Sequence, residues 1–401
     1  MYKNLFIVYY INIIESFNVS LYGLLFAILP PILFHSLYNN SYFLELTYLT
    51  LLIGFLSRPI GGVVLGYIAD RHGKILSLKI SLICIFLASS IMTIIISNTM
   101  GAYTAIVIVS ICNMLHGFSV SASYVSLFII KDISLSTKYL GFLYSCGFLG
   151  SLVALLICSI FGASTQLSSI GTIYLVGAIS GLIAFALCYF FTKKENKNIE
   201  PYKKYIIDRS SLRKIAITIG LSANSIFIFM VSTIYFNKVM LSKNLITDEQ
   251  VIIFNISYIL VWIFALPLSA KILYQINTIS LLKITSIILA VISIPIFIMV
   301  DSSTSVIKII LVCYLFNILS VIYTSAYLKI LTTVFNEYNK AICTNISQGI
   351  GSSFFGVVIP YSFELSFFHF HNEFLVTIVV FSIIIISLYS IKYLKKELHL
   401  K

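Results

Sequence analysis

Charge is what this sequence has least of. Asp, Glu, Lys and Arg make up 10% of its 401 residues, against 59% hydrophobic ones, where a soluble domain carries about a quarter charged residues. No GxxxxGK[ST] loop is present, which excludes direct coupling to ATP on this chain. The seven cysteines (84, 112, 146, 158, 188, 313 and 343) never pair at metal-ligand spacing and fall in apolar runs. They read as small packing residues, with no metal site and no disulfide framework. Short alternating segments, the mark of a membrane β-barrel, are also missing. The first apolar run has no small-residue cleavage signal.

What is there is a succession of long, nearly uncharged runs, each able to cross the roughly 30 Å hydrocarbon core as a helix. They lie near 5–34, 42–69, 75–97, 103–130, 138–162, 171–191, 214–237, 250–271, 279–300, 306–330, 339–363 and 372–393. The fold class is all-α and polytopic, with twelve transmembrane helices in two six-helix pseudo-symmetric halves. With the N-terminus in the cytoplasm, 22 of the 26 Lys and Arg fall on cytoplasmic segments; Lys238, Lys243 and Lys308 lie outside and Arg58 lies within the second span. The positive-inside rule therefore puts both termini in the cytoplasm of a bacterial inner-membrane protein. It also accounts for the net charge of +12 without nucleic-acid binding.

One polar, basic stretch interrupts the pattern, TKKENKNIEPYKKYIIDRSSLRK. It sets the expected organisation: an N-terminal half at 1–191, a cytoplasmic linker at 192–213, a C-terminal half at 214–393 and a tail at 394–401. Two equal halves point to a duplicated carrier with its site near mid-membrane.

Residues 54–79, GFLSRPIGGVVLGYIADRHGKILSLK, raise the sharpest question. Gly62 and Gly66 form a GxxxG pair that allows close helix approach. Asp70 is an anion at the cytoplasmic end of span two. It can meet the positive N-terminus of another helix, span eleven near Tyr338 being the candidate. Gly73 permits a tight turn, and Arg71 and Lys74 anchor the loop. Arg58 is expected near the cytoplasmic end of the span, as a gate or packing residue. GYIADRHGK matches the G-x-x-x-D-R-x-G-[RK] signature between spans two and three of the major facilitator superfamily, which the chain resembles along its whole length.

Shorter stretches resemble the metabolite–proton symporter branch, which includes proline/betaine and dicarboxylate carriers. These are SRPIGG at 57–62, ESFNVSLYG at 15–23, HGFS at 116–119 and FGVVIP at 355–360. Three ionisable positions of that branch are neutral here. Its span-one aspartate aligns with Asn18, its span-four arginine with Asn113 and the following glutamate with Ser123.

Glu15 remains as an acid well inside span one, and an intramembrane acid is a functional candidate by default. His116 shares a helix face with Asn113 and could relay protons or bind a carboxylate. The expected substrate and coupling set is Glu15, Asn18, Tyr22, Asn113, His116, Ser123, Asn224, Trp262, Asn317, Tyr323 and Gln348; the gating set is Arg58, Gly66, Asp70, Arg71, Gly73 and Lys74.

The expected function is secondary transport of a small polar metabolite, an amino acid or betaine-type osmolyte in preference to a dicarboxylate, by alternating access with proton coupling. No catalytic residue, cofactor or metal is expected. The expected partners are substrate, protons and membrane lipid, and the expected state is a monomer. An uncoupled facilitator, a drug–proton antiporter and an intramembrane acyltransferase using Asn113 and His116 are the alternatives. Span five lacks the proline of the antiporter signature, and the six-plus-six organisation disfavours the enzyme.

Overall fold

The computed structural model describes residues 2–25, 29–34, 37, 43–98, 100–133, 138–161, 167–191, 207–231, 235–242, 244–272, 276–299, 306–365 and 374–397. Fifteen helices occupy them: α1 (Tyr2–Leu25), α2 (Leu29–Leu33), α3 (Phe43–Arg71), α4 (Lys74–Ser97), α5 (Ala102–Val120), α6 (Ser123–Ile133), α7 (Lys138–Phe161), α8 (Leu167–Phe191), α9 (Arg209–Met230), α10 (Phe236–Ser242), α11 (Asp248–Ile272), α12 (Thr278–Met299), α13 (Val306–Leu331), α14 (Lys340–Leu365) and α15 (Phe374–Glu397). Among the described residues, nine helical stretches are long and apolar enough to cross a membrane. The other three expected spans correspond to α9, α12 and α14, of 22, 22 and 26 residues. Many large apolar side chains point outward, such as Ile60, Tyr103 and Phe190. That suits helices solvated by lipid, in which only the backbone must satisfy itself internally.

Two compact units divide the chain. The first comprises Met1–Leu135, Cys146–Tyr205 and Tyr338–Gly349; the second comprises Ser136–Ser145, Ile206–Glu337 and Ile350–Lys401. In the first, α4 packs along α8 and α5, α3 along α5, and α1 against α4, α5, α6 and α8. Phe17, Leu21, Ala88, Met92, Val109 and Tyr174 build its core. In the second, α13 packs on α9, α11 and α12, and α15 on α9 and α12. Phe227, Tyr235, Phe236, Tyr258 and Phe316 fill the centre.

The structure revises one expected span; the joints of the first run between α1 and α2, at residues 26–28, and of the seventh between α9 and α10, at 232–234, lie outside the described residues. The fourth span, expected to be continuous over 103–130, breaks at Ser121–Ala122 into α5 and α6. No proline or glycine lies in SVSAS, residues 119–123. Serine hydroxyls there compete for backbone groups instead. Ser119 Oγ donates to the His116 carbonyl at 2.7 Å and Ser121 Oγ to the Arg58 carbonyl at 2.7 Å.

Candidate functional site

The end of α3 is built around Asp70. His72 and Gly73 donate their N–H groups to the Ile68 carbonyl at 2.8 and 3.1 Å, closing the helix. Gly73 then turns the chain into α4 at φ 113°, a conformation side-chain-bearing residues rarely adopt. Asp70 is left at the helix end with both oxygens engaged. Oδ1 accepts the Ala341 N–H at 3.2 Å and Oδ2 the Ile342 N–H at 2.9 Å. These are free donors of the first turn of α14, so the carboxylate meets the positive end of that helix. Ala69, Val125, Phe128 and Ala341 form a buried apolar cluster beside it, drawn from α3, α6 and α14. The Lys340 ammonium lies 5.4 Å from the centre of the Phe128 ring. Arg71 lies over Tyr67 at 5.8 Å, and Lys74 is buried at the start of α4.

Glycine makes this approach possible. A Cβ on Gly66 would fall 2.5 Å from the Ile342 Cα, and one on Gly62 would fall 2.6 Å from the Asn345 carbonyl oxygen. The GxxxG pair is thus the contact surface of α3 with the first turns of α14. Backbone touches backbone there, with little side-chain interdigitation.

Glu15 sits near the middle of α1, 1% exposed. Ser81 of α4 donates to its Oε1 at 2.5 Å and Ser123, the first residue of α6, to its Oε2 at 2.9 Å. Ser81 Oγ also lies 3.3 Å from the Ser119 carbonyl oxygen, in the last turn of α5. Glu15 therefore bridges α1, α4 and the break in span four. Ser81 and the carbonyl of Ser119 escaped the sequence reading. The signal for Ser81 was available: Ser77, Ser81 and Ser89 are all fully buried on one face of α4.

Arg58 corrects an expectation. It lies in the middle of α3, thirteen residues before Arg71, about 20 Å from that end at 1.5 Å per residue. Its place is at mid-helix, away from the end that bears Asp70 and Arg71. The guanidinium stacks over Phe55 at 4.1 Å, Tyr124 is its electrostatic neighbour, and its buried Nε has no hydrogen-bond partner among the described residues. Among the described residues, both ring nitrogens of His116 and both amide atoms of Asn345 on α14 also lack hydrogen-bond partners.

Other expected site residues are tied into packing. Asn18 donates to the Ile14 carbonyl at 3.0 Å and accepts from Ser89 at 2.8 Å. Asn113 donates to the Thr50 carbonyl at 3.0 Å. In the second unit, Asn224 donates to Ser286 at 3.2 Å, and Asn317 to the Tyr258 carbonyl at 3.4 Å. The Tyr323 hydroxyl donates to the Leu221 carbonyl at 3.0 Å and lies 2.9 Å from Ser387 Oγ. Trp262 is 2% exposed, edge-on to Phe229 at 5.7 Å. Gln348 is buried in the first unit. The side chain of Tyr22 lies outside the described residues.

No protein-family model matches the chain. Over 167 residues it is 25% identical to a putative proline/betaine transporter of Staphylococcus aureus (strain COL), covering 40% of this chain and 36% of that one. Over 165 residues it is 28% identical to the proline/betaine transporter of Escherichia coli (strain K12), covering 39% of this chain and 33% of that one. Each match therefore spans well under half the length of the relative. Among solved structures, the proton:xylose symporter XylE superposes with a TM-score of 0.80 at 16% identity, covering 98% of this chain and 95% of that one. The human organic anion transporter MFSD10 superposes at 0.73 with 11% identity, covering 97% and 99%. At such identities the likeness is one of architecture, and the chain has the fold of the major facilitator superfamily.

Proposed function

We propose that this protein is a secondary transporter that carries a small polar metabolite with a carboxylate group, an amino acid or betaine-type osmolyte, across the bacterial inner membrane by alternating access. The observation that carries this reading is the seat of α14 on α3. Two hydrogen bonds from Asp70 and a glycine-faced backbone contact hold the first turn of α14. Such a contact is specific in geometry yet small enough to be broken and remade in each cycle. In this reading it closes the cytoplasmic side, and a state open to the cytoplasm releases it. The basic cytoplasmic segments support both termini facing that side.

Arg58 supports the substrate class. A guanidinium in the middle of a spanning helix needs an anionic counterpart, and among the described residues no carboxylate pairs with it. One cation of this kind suits a single carboxylate better than a dicarboxylate. The partial matches to proteins named as proline/betaine transporters agree with that chemistry. Coupling to cation movement runs through Glu15, the one acidic residue of α1.

The test is uptake into proteoliposomes. Labelled proline, glycine betaine, a dicarboxylate and xylose are offered with and without an inward proton gradient, to wild type and Arg58→Gln. Uptake of proline or betaine that Arg58→Gln reduces at least ten-fold, about 1.4 kcal/mol, is expected. Uptake of xylose or the dicarboxylate alone, or an Arg58→Gln variant equal to wild type, overturns the substrate reading.

A further inference from the structure

The break in span four is mild: the Ser121 backbone stays right-handed helical, and Ala122 and Val125 donate their N–H groups to the Ser119 and Ala122 carbonyls at 2.9 Å. An interrupted helix at membrane depth leaves backbone groups to be satisfied locally and is tolerated where protein or a polar cavity surrounds it. Around this break the oxygen atoms gather: both carboxylate oxygens of Glu15, the hydroxyls of Ser81 and Ser123, and the carbonyl of Ser119. They come from α1, α4 and the two sides of the break. Both hydroxyls are placed to donate to Glu15. It is 1% exposed and forms no ion pair among the described residues. A buried, uncompensated carboxylate is expensive, so the arrangement calls for one positive charge, a proton or a bound cation.

We propose that Glu15, Ser81, Ser119 and Ser123 form a binding site for a monovalent alkali cation, Na+. The donor set is all oxygen, the choice of a hard cation. With one carboxylate it neutralises one charge, whereas a divalent ion calls for several carboxylates. A proton needs only the carboxyl group, so two added hydroxyls and a helix-terminal carbonyl fit a coordinated ion better. The carbonyl lies at the C-terminal end of a half-helix, where the helix dipole also favours a cation. Bound there, the ion ties α1 and α4 to the first residue of α6. Five residues further along α6, Phe128 belongs to the apolar cluster beside Asp70, about 7.5 Å away along the helix axis. The site therefore has a short mechanical path to the seat of α14.

This inference rests on the transport reading for its purpose, but its test needs no substrate. Purified full-length protein is titrated with radiolabelled Na+ at alkaline pH. One saturable site per chain is expected, displaced by unlabelled Na+ and untouched by choline. Glu15→Gln should abolish binding, and Ser123→Ala should weaken it about ten-fold, the loss of one ligand. Both are compared at equal monodispersity, and Ser123→Ala keeps the test valid if Glu15→Gln misfolds. Monodisperse wild type without saturable binding, or Ser123→Ala and Glu15→Gln both binding like wild type, overturns the proposal. Failure to bind Na+ beside proton-driven uptake that depends on Glu15 also overturns it, leaving Glu15 a proton carrier and transport intact. Na+ binding that Glu15→Gln abolishes, in a protein that takes up none of the offered solutes, upholds the cation site and sinks the substrate reading.

Discussion

Asp70 accepts the backbone N–H of Ile342, 272 positions away in the sequence, at 2.9 Å. Charge drives this bond, since hydrogen bonds to an ionised group contribute about 1.5–3 kcal/mol. Asp70→Asn keeps an acceptor but removes the charge. Turnover should fall about ten-fold while the protein stays in the membrane, and a thiol probe added from the cytoplasmic side should label a cysteine placed at Ile342 faster. Wild-type uptake and labelling in Asp70→Asn would show that the bond is incidental.

Gly66 and Gly171 make a matched pair. A methyl group at Gly66 meets the Ile342 Cα, whereas at Gly171 its nearest neighbour is the Ile96 side chain at 3.6 Å, ordinary contact. Gly66→Ala should cost about 1–3 kcal/mol by overpacking and abolish most uptake. Gly171→Ala should be neutral or stabilising by about 0.5–1 kcal/mol, the helix preference of Ala over Gly. Thermal unfolding in detergent reads both, and equal shifts for the two would remove the close-approach argument.

Asn18 stands where the resembled symporter branch has an aspartate. Its amide donates to the Ile14 carbonyl and accepts from Ser89. Asn18→Asp cannot donate while ionised and would leave a buried charge against a carbonyl. A destabilisation of about 1–3 kcal/mol is expected, without new proton dependence of uptake. If Asn18→Asp instead gains proton-stimulated uptake at unchanged stability, the position can serve proton coupling.

Phe128 tests the path along α6. It is fully buried with Ala69, Val125 and Ala341 and lies outside the oxygen cluster. Phe128→Ala should leave Na+ binding within about two-fold, under 0.5 kcal/mol, while uptake drops about ten-fold or more. Loss of both together would mean that Phe128 is simply structural.

Asp208, ahead of α9 and fully exposed, accepts the Ser211 N–H at 2.8 Å as a helix cap. Hydrogen bonds from Ser211 hold its carboxyl below the ordinary carboxylate value. The folded value is the lower one, so the cap is in place above the ordinary value and is lost as pH falls through the depressed one. Amide exchange in the first turn of α9 should rise in acid in wild type, beyond the intrinsic trend. It should not do so in Asp208→Asn, and identical profiles would refute the assignment.

Helices and the turn at Gly73 were legible because apolar runs and a positive-φ glycine are local properties. Asp70 could be matched to the start of span eleven because an anion at one helix end has few places to go. The break at Ser121–Ala122 was not legible. Helix breaks are read from proline and glycine, and here the interruption is made by hydroxyls whose partners, Arg58 and Glu15, are remote in sequence. Arg58 was misplaced for the opposite reason: its nearness to the charged loop in sequence outweighed a count of residues along α3. Asn18, Asn113 and Asn224 look like a polar cavity in sequence, yet each makes a hydrogen bond to a neighbouring group within its own unit. A buried amide that ties helices together has the same sequence signature as one that meets a ligand.

The tryptophan described above has an optical consequence. Trp262 is the only indole in the chain and lies buried against Phe229 in the second unit. Excited at the red edge, beyond tyrosine absorption, the whole protein emits from that one place. Without any label, its emission reports on the second unit alone, while Glu15, Arg58 and Asp70 all lie in the first. A spectral change on adding Na+ or a solute would therefore be a signal from a unit that contains none of those residues.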